Sequence, residues 1–265
     1  MEEDLVFIKL GGSLITDKNL PDTARLDLID ALVLAIKHAQ QEMPGIKLIL
    51  GHGSGSFGHP MAKKYRTREG VFTPEQWHGF HQTWRAAHAL NQLVLESCLA
   101  AGLPVVNFPP SASILTQNHK VLSWELAPIN AALKNGMIPL IYGDVVFDSI
   151  IGGTILSTEE LFDHLARILK PARILLAGIE PGVWGDYPVC TYLIPHITAS
   201  GLPGFDDRLL PSASVDVTGG MRAKVDQISQ LVRDIPGLQA RIFSAIDSKN
   251  LYRVIIGAPL GTLIS

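Results

Sequence analysis

The sequence predicts an α/β fold: a mostly parallel sheet covered on both faces by helices. Three observations carry that reading. Short apolar runs recur along the chain, segments with helical spacing separate them, and glycines gather where the apolar runs end. With 265 residues, 47% hydrophobic and 18% charged, the chain can build one large or two moderate domains around a sizeable core.

Leu5 to Leu10 (LVFIKL) reads as a buried strand that ends in the turn Gly11-Gly12-Ser13. Asp22 or Thr23 is expected to cap a helix in which Leu26, Ile29, Leu32, Val33 and Ile36 recur at helical spacing. Ile46 to Leu50 is a second strand, followed by a loop from Gly51 to His59. Thr73-Pro74-Glu75-Gln76 has the form of a capping box with proline at the first helical position, opening a helix to Ala101 that stops at Gly102. Pro104 to Phe108 and Met137 to Tyr142 are strands, the latter preceded by a helix ending at Asn135-Gly136. Val145–Phe147 and Gly153–Leu156 read as a hairpin, and Ser157-Thr158-Glu159-Glu160 as a second capping box whose helix ends before Pro171. Arg173 to Ala177 is a strand, Gly178 to Asp216 is irregular, Met221 to Ile235 is helical, and Ala240–Ser244 and Gly261–Ile264 are strands. A soft boundary falls near residue 170.

Composition excludes several classes of function. The net charge of −3 lacks the basic excess of a nucleic-acid binder. No apolar stretch is long enough for a spanning helix, and the start Met1-Glu2-Glu3-Asp4 is acidic where a secretory signal would be basic. Two cysteines, Cys98 and Cys190, make neither a disulfide framework nor a four-cysteine zinc site. His78 and His81 are too close in sequence for a helical zinc pair, and they read as structural or exposed. These features predict a cytoplasmic protein that binds neither membrane nor nucleic acid.

Four clusters carry chemistry. In Lys9-Leu10-Gly11-Gly12-Ser13, followed by Lys18, glycines after a strand let backbone N–H groups approach an anion, and lysine supplies a compact charge. Taken alone, the motif reads first as an ordinary strand-to-loop turn with a solvated lysine. The segment Gly51-His52-Gly53-Ser54-Gly55-Ser56-Phe57-Gly58-His59 has four glycines in nine residues, more than a turn requires. Its N–H groups, hydroxyls and imidazole suit a phosphate or phosphonate at a helix start. Asp216-Val217-Thr218-Gly219-Gly220, with Lys224 one turn on, can cradle phosphate, although alone it reads first as a capped helix. Gly143-Asp144 and the Ser157–Glu160 helix start complete the set.

In this order the motifs KLGGSLITDK (9–18), LILGHGSGSFGHP (48–60), GDVVFD (143–148) and DVTGGMRAK (216–224) resemble the amino acid kinase superfamily, and within it the isopentenyl phosphate kinases. The resemblance implies the amino acid kinase fold, an open sheet in an αβα sandwich. It places the acceptor phosphate in an N-terminal part (1–170) and ATP in a C-terminal part (171–265). It implies ATP-dependent, in-line phosphorylation of isopentenyl phosphate with Mg²⁺, in a homodimer. Lys9, Lys18, His59 and Lys224 would be catalytic, the first and last of them on the ATP phosphates and Lys18 on the moving phosphoryl. Ser54, His59, Gly143, Asp144 and Thr158 would hold the acceptor. Gly11, Gly12, Ser13, Gly55, Gly178, Gly219 and Gly220 would join Lys9 and Lys224 around ATP. Where relatives carry Ser-Gly-Asp-Asp, this chain has Ser157-Thr158-Glu159-Glu160, so the role of orienting the lysines falls to Glu159 or is shared with Asp144. The loop from Ala177 to Val183 also departs from the family pattern, which leaves the adenine contacts open. Trp77, Phe80 and Trp84 form a stripe compatible with a prenyl-pocket wall, and more simply with core packing. Two other readings stay open: a fosfomycin-type phosphonate kinase and a non-catalytic nucleotide-binding protein.

Overall fold

The computed structural model describes residues 4–199 and 220–265. In chain order they form β1 (Leu5–Leu10), the one-turn helix α1 (Gly12–Ile15), α2 (Leu26–Glu42), β2 (Lys47–His52) and α3 (Gly55–Tyr65). A tight helical turn at Thr67–Glu69 leads to α4 (Pro74–Ala100), β3 (Val105–Asn107), α5 (Pro110–Ser113), β4 (Ile114–Gln117), β5 (Lys120–Trp124) and α6 (Ala127–Lys134). Next come β6 (Ile138–Tyr142), β7 (Asp144–Asp148), β8 (Gly152–Leu156), α7 (Thr158–Leu169) and β9 (Arg173–Gly178). The short strands β10 (Val183–Trp184), β11 (Leu193–Ile194) and β12 (His196–Ile197) precede α8 (Gly220–Asp234), β13 (Gln239–Ser244), α9 (Ser248–Ile255) and β14 (Thr262–Ile264).

Eight strands make one sheet in the order β12-β14-β13-β9-β1-β2-β6-β3, and within it only β13 and β14 pair antiparallel. The expected αβα sandwich follows from the alternation of side chains along β1. Val6, Ile8 and Leu10 enter the core beneath α2, α4 and α9, with Ile29, Leu90 and Leu251. Phe7 points the other way, into a second core with Phe162, Leu165 and Ile228 from α7 and α8. Lys9 shares the Phe7 face, so strand periodicity alone aims it at the α7 side. Near residue 170 the chain passes from α7 to β9, and β9 pairs directly with β1, so one sheet continues through that point.

A smaller sheet, ordered β5-β4-β7-β8, includes the expected hairpin as β7–β8. It packs on α4 through Val71, Phe80 and Val145, with Trp84 and Ile155 against them. Within the Trp77–Phe80–Trp84 stripe, Phe80 enters this core, Trp84 is half-buried against it and Trp77 is exposed, with the Trp77 and Phe80 rings 5.2 Å apart and Phe80 5.2 Å from the exposed Phe147.

Three local expectations need correction. α2 begins at Leu26 with Arg25 in the cap position, because residues 16–25 close on themselves: Thr16 bridges Ala24, and Asp22 takes a positive φ of 49°. The expected loop at 51–59 is mostly regular, since β2 continues through His52 and α3 starts at Gly55. The β4–β5 hairpin and α9 were not expected. α9 spans only eight residues and depends on Asp247, which accepts from the Lys249 amide at 3.0 Å.

Phe162 is 1% exposed and its ring centre lies 5.0 Å from that of Phe7, so it ties α7 to β1. Phe162→Ala should cost about 3–5 kcal/mol in equilibrium denaturation. A loss below about 1 kcal/mol would mean that α7 does not depend on this contact.

Candidate active site

α1 and α3 begin where β1 and β2 of the large sheet end, and α7, which follows β8 of the smaller sheet, begins beside the same edge, its Thr158 bonded to His52 at the end of β2. Each helix start brings backbone N–H groups and the positive end of its dipole to that edge. A cavity of about 780 Å³ opens there. Lys9, Gly11, Gly12, Ser13, Lys18, Ser54, Gly55, His59, Gly143, Asp144, Thr158, Glu159, Gly178 and Lys224 all line it. Of the remaining expected residues, Gly220 begins α8 but is not part of the lining, and Gly219 lies outside the described residues, as do Asp216 to Thr218.

The two glycine motifs converge by direct backbone contact. A Cβ on Gly12 would come within 2.7 Å of Gly55 Cα, and Gly55 adopts a φ of +49° with Gly12 O 2.6 Å from where its Cβ would be. Neither position tolerates a side chain without moving main chain. Thr16 pins the junction: its hydroxyl donates to Gly12 O at 2.7 Å and accepts from the Ser56 amide at 3.0 Å.

Across the cavity, the Lys9 ammonium pairs with the Glu159 carboxylate, at 7% and 8% residue exposure. Burial pushes the Glu159 carboxyl up, but the charges of Lys9 and Lys224 outweigh it and hold the group below the ordinary carboxylate range. The extra methylene of Glu159 thus reaches Lys9 from the first turn of α7. Asp144, the other candidate for that task, lines the same cavity. Its carboxylate accepts from the amides of Val145 at 2.8 Å and Ser111 at 3.3 Å. Thr158, expected on the acceptor, commits its hydroxyl to the His52 carbonyl at 2.6 Å, fastening α7 to the end of β2.

Several lining residues had no sequence signal. Arg68, from the turn after α3, reaches the cavity and forks onto Glu160. Thr83 and Ala87 of α4, with Ile155 and Leu156 of β8, give the cavity an apolar wall in place of the aromatic stripe. Below it, His52 is fully buried with Nε2 3.2 Å from Asn91 Oδ1, and desolvation lowers its pKa so that the imidazole is neutral. Among the described residues no group of three or more His, Cys, Asp or Glu could hold a metal ion.

The sequence pattern of the amino acid kinase family matches residues 4–244. The isopentenyl phosphate kinase of Methanocaldococcus jannaschii is 32% identical over 267 residues, covering 98% of each chain. That of Methanothermobacter thermautotrophicus is 30% identical, covering 98% of this chain and 99% of its own. A crystal structure of an isopentenyl phosphate kinase aligns with a TM-score of 0.82 at 29% identity, over 98% of this chain and 100% of the other.

Asp144 is 1% exposed, and burial raises its carboxyl from 3.8 to about 6 against the opposing pull of its Ser111 and Val145 hydrogen bonds. A carboxyl raised by folding stabilises the folded state while protonated. That contribution is complete below pH 3.8 and is lost as the pH rises through about 6. Asp144→Asn should lack this loss, so its stability relative to wild type should increase across the window in urea titrations at stepped pH. A constant difference between the two proteins would contradict the buried, raised carboxyl.

Proposed function

The chain belongs to the amino acid kinase family, and on that premise we propose that it transfers the γ-phosphoryl group of ATP to isopentenyl phosphate. The observation that carries this reading is one cavity in which Lys9, Lys18 and Lys224 share walls with both glycine turns, His59 and an apolar face. Polyphosphate and a short apolar tail are the two chemistries such a cavity accommodates.

In this reading an oxygen of the acceptor phosphate attacks the γ-phosphorus in line, the bond to the β–γ bridging oxygen breaks, and ADP leaves as isopentenyl diphosphate forms. Both partners are anions, so positioning and charge neutralisation supply the catalysis. Lys9 and Lys224 bind the ATP phosphates, with Glu159 holding the Lys9 ammonium in place, and the backbone of Gly11, Gly12, Ser13 and Gly55 lines the phosphate path. Lys18 faces the moving phosphoryl. Ser54 and His59 hold the acceptor phosphate, whose second ionisation lies close to that of imidazole. Gly143 and Asp144 close the acceptor side, and Gly178 and the segment around Gly219 and Gly220 border the nucleotide. The division into an acceptor part at 1–170 and an ATP part at 171–265 belongs to the same proposal.

The described residues provide no cage for Mg²⁺. The fit is with an ion carried on the ATP phosphate oxygens, as Mg²⁺ prefers, where it would spread the negative charge of the triphosphate. Among the described residues no helix is long and apolar enough to cross a membrane. A cytoplasmic homodimer completes the proposal, and light scattering of the purified chain tests the dimer.

A coupled assay with ATP and Mg²⁺ should show turnover of isopentenyl phosphate and none of fosfomycin. The reverse pattern would replace this reading with a phosphonate kinase, and turnover of neither would remove both. His59→Ala and Lys224→Ala should each lower kcat/KM by on the order of a hundredfold or more. His78→Ala, exposed on α4, should match wild type. Equal losses at His59 and His78 would contradict the site assignment.

A further inference from the structure

We propose that Arg68 is a positioning residue for phosphoryl transfer, fixing the first turn of α7 through Glu160 so that the adjacent Glu159 holds Lys9 at the reacting phosphates. The proposal rests on the kinase reading above and names a residue outside the motifs that suggested it.

The geometry is a chain of directed contacts. Arg68 donates from Nη2 to Glu160 Oε1 at 2.7 Å and from Nη1 to Glu160 Oε2 at 3.1 Å, a two-pronged fork, and Nη1 also reaches the Ile155 carbonyl at 3.2 Å. The Arg68 carbonyl in turn accepts from the Thr154 hydroxyl at 3.0 Å, so the residue is strapped to β8 from both ends. Glu160 is the third residue of the α7 capping box: its Oε2 accepts from the Ser157 amide at 2.7 Å, and its own amide donates to Ser157 Oγ at 3.2 Å. The carboxylate that receives the fork is therefore the group that closes the start of α7. Glu159 occupies that same turn.

Arg68 follows α3, the helix whose N-terminal half carries Gly55 and His59. It therefore ties the acceptor side of the cavity to the helix start that orients Lys9. A second, smaller cavity of about 200 Å³ lies along this contact, lined by Arg68, Ser157, Glu159, Glu160, Lys224 and Gln227. Removing the guanidinium enlarges that space and leaves the turn with one restraint fewer. Displacement of a reacting group by about an ångström costs on the order of a hundredfold in rate. A lysine would keep the charge at Arg68 but could not form the fork.

Steady-state kinetics with ATP and isopentenyl phosphate on wild type, Arg68→Ala, Arg68→Lys and Glu160→Gln test the proposal. Glutamine preserves the capping box while removing the charge that anchors the fork. All three variants should lose kcat by roughly tenfold to a hundredfold with both KM values nearly unchanged. Millimolar guanidinium should restore much of the loss in Arg68→Ala, whereas ammonium should not. Hydrogen exchange on the same proteins reads positioning without activity: amides of residues 157–161 should exchange faster in Arg68→Ala, with α2 unchanged. A raised KM at constant kcat, an unaltered kcat, or wild-type exchange at residues 157–161 would each overturn the assignment. If wild type itself fails to turn over isopentenyl phosphate, the kinase reading fails, and the role of Arg68 toward Lys9 in transfer falls with it. The exchange result then reports separately on its hold over α7.

Discussion

Where β1 ends and α7 begins, a lysine and a glutamate face each other, each more than nine-tenths buried. Neither charge could remain there alone, because an unpaired buried ion costs several kcal/mol. The pair therefore requires that the strand deliver Lys9 to the α7 face and that the helix begin at Glu159's neighbour, Thr158. The paired Lys9 ammonium lines the cavity. Lys224, on α8, adds its charge to the field at the same carboxylate.

Opposite this pair, the wall is made of main chain. Gly12 and Gly55 touch without side chains, and Thr16 stitches them by two hydrogen bonds. Glycine is thus put to use where the helices begin: among the described residues, seven of the chain's 24 glycines line the cavity. It lets two turns that are 43 residues apart in sequence, at Gly12 and Gly55, act as one surface.

Much of this was legible because the strongest signals are local. Apolar runs that stop at glycine mark buried strands, and the two capping boxes at Thr73 and Ser157 form as their spacing implies. The failures are equally physical. Asp22 looks like a helix cap, but Thr16 bridges Ala24, the Asp22 amide bonds to the Ser56 carbonyl, and α2 starts later. In β5 the burial pattern has no clean alternation, so a strand held by pairing with β4 left little trace in the sequence. The pairing of Lys9 with Glu159 could not be read from the sequence, because the two lie 150 residues apart and only the fold joins them. Arg68 had no signal, since its partner lies 92 residues away and only the fold joins them.

The account stands on Lys9 and Glu159 acting as a unit, with the glutamate acting through the lysine. A double-mutant cycle on kcat/KM with Lys9→Met, Glu159→Gln and the combined variant measures that directly. Once Lys9 is gone, Glu159→Gln should add little, so the combined variant should fall within about threefold of Lys9→Met alone. If the two losses multiply, Glu159 acts independently of Lys9, and the buried pair does not organise the site.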